Sequence, residues 1–283
     1  IKRARERICK CKKGISGLVR HLAGTVFFLA MRFFSKIFTG TVLLCFGTAM
    51  LLAGTLPKTL KSEAHSRDTY GWADRHAAVL ERNKTVKPDY IFLGDSITHW
   101  WGGEPKCGVM PVVGADSWEK LFAGHVVTNC GFGFDYIDNA YYRVENGELD
   151  GIAPRVILVN LGTNNIGHRG ESSEVCGDNM AAFVQLLREK SPQSKILLVG
   201  VYPRREKQLA ETIEKTNLRY AALADGENVF FSNPGTLLRA DGSKTANPAL
   251  MRDRVHLNAA GYRVIAAKIA EKLAEIDPLY GRK

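Results

Sequence analysis

Five short apolar runs recur along the C-terminal two-thirds of the chain, separated by polar stretches with helical spacing. The runs are Tyr90–Gly94 (YIFLG), 126–129 (VVTN), 156–161 (VILVNL), 196–201 (ILLVGV) and Val229–Ser232 (VFFS). They are nearly continuous rather than alternating, which suits strands covered on both faces. Between 172 and 190, Met180, Phe183, Val184 and Leu187 fall at i, i+3, i+4 and i+7, the stripe of an amphipathic helix. Tyr262, Ile265, Ile269, Leu273 and Ile276 form a similar stripe between 258 and 276. Strands alternating with helices predict an α/β fold: a three-layer α/β/α sandwich with a doubly wound parallel sheet of about five strands, spanning 87–283. In such sheets ligands bind beyond the carboxyl ends of the strands.

A different pattern precedes this body. Residues 37–57 are 21 positions without a charge, long enough to cross a bilayer as a helix. Residues 1–36 carry ten basic side chains and one acid, a net of +9 out of the chain's +10. The body is therefore nearly neutral. The charge sits beside an apolar run, so it points to a membrane and not to nucleic acid. The expectation is a basic cytoplasmic segment (1–36), a transmembrane anchor or the h-region of a signal peptide (37–57), and a linker with a leading helix (58–86). The body would then lie in the cell envelope on the non-cytoplasmic side, or be secreted if the segment is cleaved. A shorter apolar patch at 22–31 is too short to span. With 45% apolar and 24% charged residues, the 283-residue chain is neither disordered nor collagen-like. Cys107, Cys130 and Cys176 lie in the body, in a compartment that would permit disulfides, and no pairing follows from their spacing.

Each expected strand end delivers polar or glycine-rich residues: Gly94-Asp95-Ser96, then 129–135 (NCGFGFD), then Gly162-Thr163-Asn164-Asn165. Asp253 and His256 precede the last helix. Acyl transfer by a serine needs an adjacent base, a group that orients the base, and donors for the oxyanion. Ser96 fits the nucleophile, His256 the base and Asp253 its orienter. The Asn164 amide and the backbone N–H groups of Ser96 and the second loop fit the oxyanion hole. Singly, each element has a plain structural reading: an asparagine that caps a helix, or an Asp–His surface pair.

Taken in order, these residues resemble the four blocks of the SGNH, or GDSL-type, hydrolases, over roughly 89–276. The stretch 146–150 (NGELD), followed by 154–158 (PRVIL) and 162–165 (GTNN), resembles the platelet-activating-factor acetylhydrolase-like branch. IFLGDSITHWW resembles bacterial carbohydrate esterases of the superfamily. The resemblance implies an acyl-serine ester hydrolase without metal or organic cofactor, acting on an acylated small molecule or polysaccharide. The acyl group would be short, acetyl first, and the alcohol a carbohydrate. A lysophospholipase or other lipid acyl hydrolase is the alternative, and a catalytically silent carbohydrate-binding scaffold a third.

Two departures matter. Relatives commonly have glycine where Phe134 stands, so Gly133 and Phe134 are joint candidates for the second oxyanion donor. If that position demands a glycine-only conformation, the loop must differ here. The interval from Ser96 to Asp135 is also long, which points to an inserted loop around 101–118. Trp100, Trp101 and Arg204 are candidates for the substrate pocket, with core packing or a solvated loop as the plain readings. His99 ranks behind His256 as a base, because no carboxylate stands at triad-like spacing.

Overall fold

The computed structural model describes residues 56–65 and 70–282. The first described segment, 56–65, is not a free linker. Leu60 is buried, Thr59 Oγ1 donates to Asn179 Oδ1 at 2.8 Å, and Lys61 N–H donates to Asp138 Oδ1 at 2.9 Å. The leading helix is α1 (Trp72–Thr85). The body continues as β1 (Tyr90–Gly94), α2 (Ser96–His99), α3 (Ala115–Leu121), β2 (Val127–Gly131) and α4 (Ile137–Arg143). Then come β3 (Val156–Asn160), α5 (Thr163–His168), α6 (Ser173–Lys190), β4 (Lys195–Val199), α7 (Ala210–Ala221), β5 (Val229–Ser232) and α8 (Ala259–Ile276).

The five strands form one parallel sheet in the order β2-β1-β3-β4-β5. Side chains alternate between two cores. Ile91, Leu93, Ile157, Val159, Ile196 and Leu198 face one layer; Tyr90, Phe92, Val156, Leu158, Leu197 and Val199 face the other. Covering both faces is what makes each strand apolar at every position. The stripes on α6 and α8 are buried as the spacing predicts.

Strand ends differ from the sequence expectation for local reasons. β2 extends to Gly131 because Cys130 and Gly131 pair with Leu93 and Gly94 of β1. β4 stops at Val199; beyond it the Asn217 amide takes over the backbone, accepting from Val201 N–H at 2.7 Å and donating to Val201 C=O at 3.0 Å. In register, Gly94, Gly131 and Asn160 end side by side. The chain leaves β1 toward β2 on one side and leaves the adjacent β3 toward β4 on the other, so the crevice between the carboxyl ends of β1 and β3 is the topological switch point. The expected anchor at 37–57 lies outside the described residues. Among the described residues, no helix is long and apolar enough to cross a membrane.

Candidate active site

The chain leaves β1 at Gly94, turns at Asp95 and begins α2 at Ser96. Asp95 caps that helix by accepting from Ile97 N–H at 2.9 Å. The turn is tight enough that a Cβ on Gly131, at the end of the neighbouring strand, would lie 2.3 Å from His99 N. Across the crevice, the loop before α8 carries Asp253 and His256. His256 Nε2 is 2.9 Å from Ser96 Oγ, and His256 Nδ1 is 2.7 Å from Asp253 Oδ2. Asp253 Oδ1 also accepts the backbone N–H groups of Val255 and His256, each at 2.7 Å. A carboxylate facing Nδ1 holds the proton there and leaves Nε2 to accept the serine proton. Ser96 and the Asp253–His256 pair, up to 160 residues apart in sequence, thus form one hydrogen-bonded chain. Trp100 stacks on His256 with ring centroids 3.8 Å apart and 22° between planes, and backs the imidazole from the α2 side.

The second and third loops lie beside Ser96 because β2 and β3 flank β1. Asn164, in the first turn of α5, donates its amide to Asp135 C=O at 3.0 Å, which ties the third loop to the second. Phe134 has φ 65°, a left-handed conformation that glycine favours. The loop accepts phenylalanine in this conformation at a cost of about 1–2 kcal/mol.

The sequence profile of the GDSL-like lipase/acylhydrolase family matches residues 92–264. The chain belongs to this family. Human platelet-activating factor acetylhydrolase IB subunit alpha2 is 33% identical over 209 residues, covering 72% of this chain and 82% of that protein. The human subunit alpha1 is 30% identical over 210 residues, covering 72% and 84%. Solved structures share the fold. A GDSL-like lipase from Bacteroides thetaiotaomicron has a TM-score of 0.57 at 19% identity, covering 71% of this chain and 97% of that one. A carbohydrate acetylesterase from Sinorhizobium meliloti has a TM-score of 0.53 at 18% identity, covering 67% and 99%.

Two pocket candidates of this GDSL-family chain are corrected. Trp101 is 1% exposed; its indole N–H donates to Ser117 Oγ at 2.9 Å, and it packs on Phe92, Trp118 and Tyr262. It is core because α2 is only one turn long, and the chain turns into the sheet directly after it. Arg204 is buried and already paired. Its guanidinium is 3.0 Å from the Glu206 carboxylate and 3.3 Å from Thr163 C=O, so no acidic substrate is needed to satisfy it. The three body cysteines are free thiols. Among the described residues, no cluster of three or more His, Cys, Asp or Glu side chains is placed to hold a metal ion.

The sequence reading missed the charged network beneath the second loop. Arg143 and its partners Asp135 and Glu148 are wholly buried. Arg143 Nε donates to Asp135 Oδ2 at 2.9 Å and Nη1 to Glu148 Oε2 at 2.5 Å, while its guanidinium lies 3.9 Å from the Phe132 ring centroid. Glu148 falls within the NGELD stretch already singled out, and that was the available signal.

Electrostatics separates the histidines. Burial pushes His99 down to about 2, helped by Arg75 and Arg143, so it stays neutral and has no acceptor carboxylate. Burial also lowers His256, opposed by the hydrogen bond and charge of Asp253. Burial alone would raise Asp253, but the backbone donors of His256 and Val255 outweigh it and hold its carboxyl below the ordinary value. An imidazole accepts a proton only when neutral, so with His256 as base kcat/KM is expected to fall on acidification, with a midpoint below the ordinary histidine value of ~6.5. Asp253→Asn removes the group that raises His256, so the limb moves to still lower pH while kcat drops about 10²- to 10⁴-fold. A pH–rate profile of both proteins checks this; a limb that moves upward in the variant contradicts it.

Proposed function

We propose that the chain is a serine ester hydrolase that cleaves a short acyl ester, acetyl first, through an acyl-serine intermediate. The observation that carries this is the continuous Ser96–His256–Asp253 hydrogen-bond chain at the carboxyl ends of the strands. Ser96 Oγ attacks the ester carbonyl carbon while His256 Nε2 takes its proton. The carbonyl oxygen becomes an oxyanion facing the Asn164 amide and the N–H groups of Ser96 and the 133–134 loop. Collapse breaks the bond to the alcohol, which leaves with the proton from His256. Water then repeats the cycle on the acyl-serine and releases the acid.

A short acyl group agrees with the acetylhydrolase names of the curated relatives. For the alcohol, a carbohydrate is the first reading, on the resemblance of the IFLGDSITHWW stretch. A lipid alcohol is the second. Val109 and Val112, exposed at 73% and 53%, flank the Met110 that covers Gly133, and they offer an apolar surface beside the site. The proposed location is the non-cytoplasmic face of a membrane, on the strength of the uncharged run at 37–57 and its basic flank.

The test is hydrolysis of p-nitrophenyl esters from acetate to decanoate. The expected kcat/KM is highest for acetate and falls at least tenfold by octanoate. A preference for long chains would transfer the assignment to a lipid acyl hydrolase. No Ser96-dependent turnover on any ester would leave the silent binding scaffold.

A further inference from the structure

We propose that Tyr70 is a positioning residue that aims the Phe134 N–H at the developing oxyanion. The inference rests on the serine esterase reading above. Residues 132–135 form a tight turn closed by Asp135 N–H donating to Phe132 C=O at 3.2 Å. With a left-handed residue in third place, the turn is one whose central peptide is flipped relative to the commoner type. That central unit joins Gly133 to Phe134. A peptide is planar and trans, so its C=O and N–H point in opposite directions. Tyr70 Oη donates to Gly133 C=O at 3.3 Å, which fixes one end of the unit and therefore turns the Phe134 N–H to the opposite side. Among the described residues, no hydrogen bond uses that N–H.

A phenylalanine in third place does not by itself favour this flip, whereas a glycine would. The tyrosine supplies from outside what the loop sequence lacks. Its neighbours make it a rigid support: Tyr70 is buried, its ring meets the His99 ring edge-on at 5.2 Å, and its Cε1 lies against Gly133. Burial and the nearby Asp135 carboxylate keep its hydroxyl protonated, so it remains a donor.

Tyr70 does not act alone. Trp72 Nε1 donates to Asp135 Oδ1 at 2.7 Å, and Arg75 Nε donates to Gly131 C=O at 2.8 Å. The start of α1 thus holds alternate residues of the loop, 131, 133 and 135, by three separate acceptors. All three donors precede residue 92, where the family match begins. The leading helix, with the residues just before it, is a clamp on the oxyanion loop.

The test is Tyr70→Phe in the full chain, with Ser96→Ala run beside it, on p-nitrophenyl acetate. The isosteric change removes only the hydroxyl. The expected result is kcat lowered about tenfold, KM within twofold, and the acidic limb of the pH profile unmoved, because His256 is untouched. The inhibition constant of a methyl trifluoromethyl ketone, which adds to the serine as a hemiketal oxyanion, should rise by a similar factor. A merely structural tyrosine would lower the melting temperature without this kcat-selective loss. Unchanged kcat, or a higher KM alone, with turnover still dependent on Ser96, overturns the proposal and leaves the esterase reading standing. Turnover that survives Ser96→Ala removes both.

Discussion

Replacing Ser96 by alanine is expected to lower the turnover of a short acyl ester by about ten-thousandfold or more, with KM little changed. Ser96 Oγ is the end of the hydrogen-bond chain, 2.9 Å from His256 Nε2. Without it no acyl-serine forms, and what remains is attack by water helped by the oxyanion donors alone. His256→Ala should cost a similar factor. The double variant should be no worse than the poorer single one within about threefold, because nucleophile and base act as one unit. Independent, multiplying losses would show that the two groups serve different steps. Stability should barely move, since the Ser96 side chain bridges only to His256. A serine-directed phosphonate should modify Ser96 in the native chain and nothing in Ser96→Ala. Modification of any other serine would take the nucleophile assignment away from it.

The parts of this site that were legible beforehand share one property: their chemistry is carried by short local patterns. β1 and the stripes of α6 and α8 follow from periodicity alone, because both faces of the sheet are covered. Asp253 and His256 are three residues apart in one turn, so their pairing is a local matter; their meeting with Ser96 required the fold. Trp101 and Arg204 show where that logic stops. Position along the chain placed them near the crevice, but the direction of a side chain depends on the path of the backbone after a one-turn helix and on partners such as Ser117 and Glu206. Phe134 is the reverse case. It looked like a defect in a glycine position, yet it takes the glycine conformation, and the tyrosine that holds its peptide lies more than 60 residues earlier. No pattern within the loop points to that partner.

The buried network of Arg143 was the least legible feature and should be the most sensitive to mutation. Arg143, near the end of a short helix, reads as an ordinary surface charge, with Asp135 and Glu148 eight and five residues away. All three side chains are fully buried. Removing the guanidinium leaves two carboxylates in a fully buried site, and breaking such a buried group typically costs about 3–5 kcal/mol. Arg143→Met is therefore expected to lose that much stability in a denaturant titration. Arg143→Lys should recover only part of it, since an ammonium cannot span both carboxylates as a fork does. The loss should also depend on pH. Burial already holds Asp135 above its ordinary value, with Arg143 opposing. In Arg143→Met the opposition is gone, so Asp135 rises further and the folded chain keeps a proton that the unfolded chain gives up above about pH 4. Stability then falls as pH rises, and because Asp135 of the native chain is held at about 7, the deficit should widen above pH 7, where only the native carboxyl gives up its proton. A deficit that widens on acidification would mean the arginine acts mainly by packing on Phe132. Asp135 also presents its carbonyl to the Asn164 amide, so the same variant should lose activity even where it stays folded, by loosening the oxyanion loop from below.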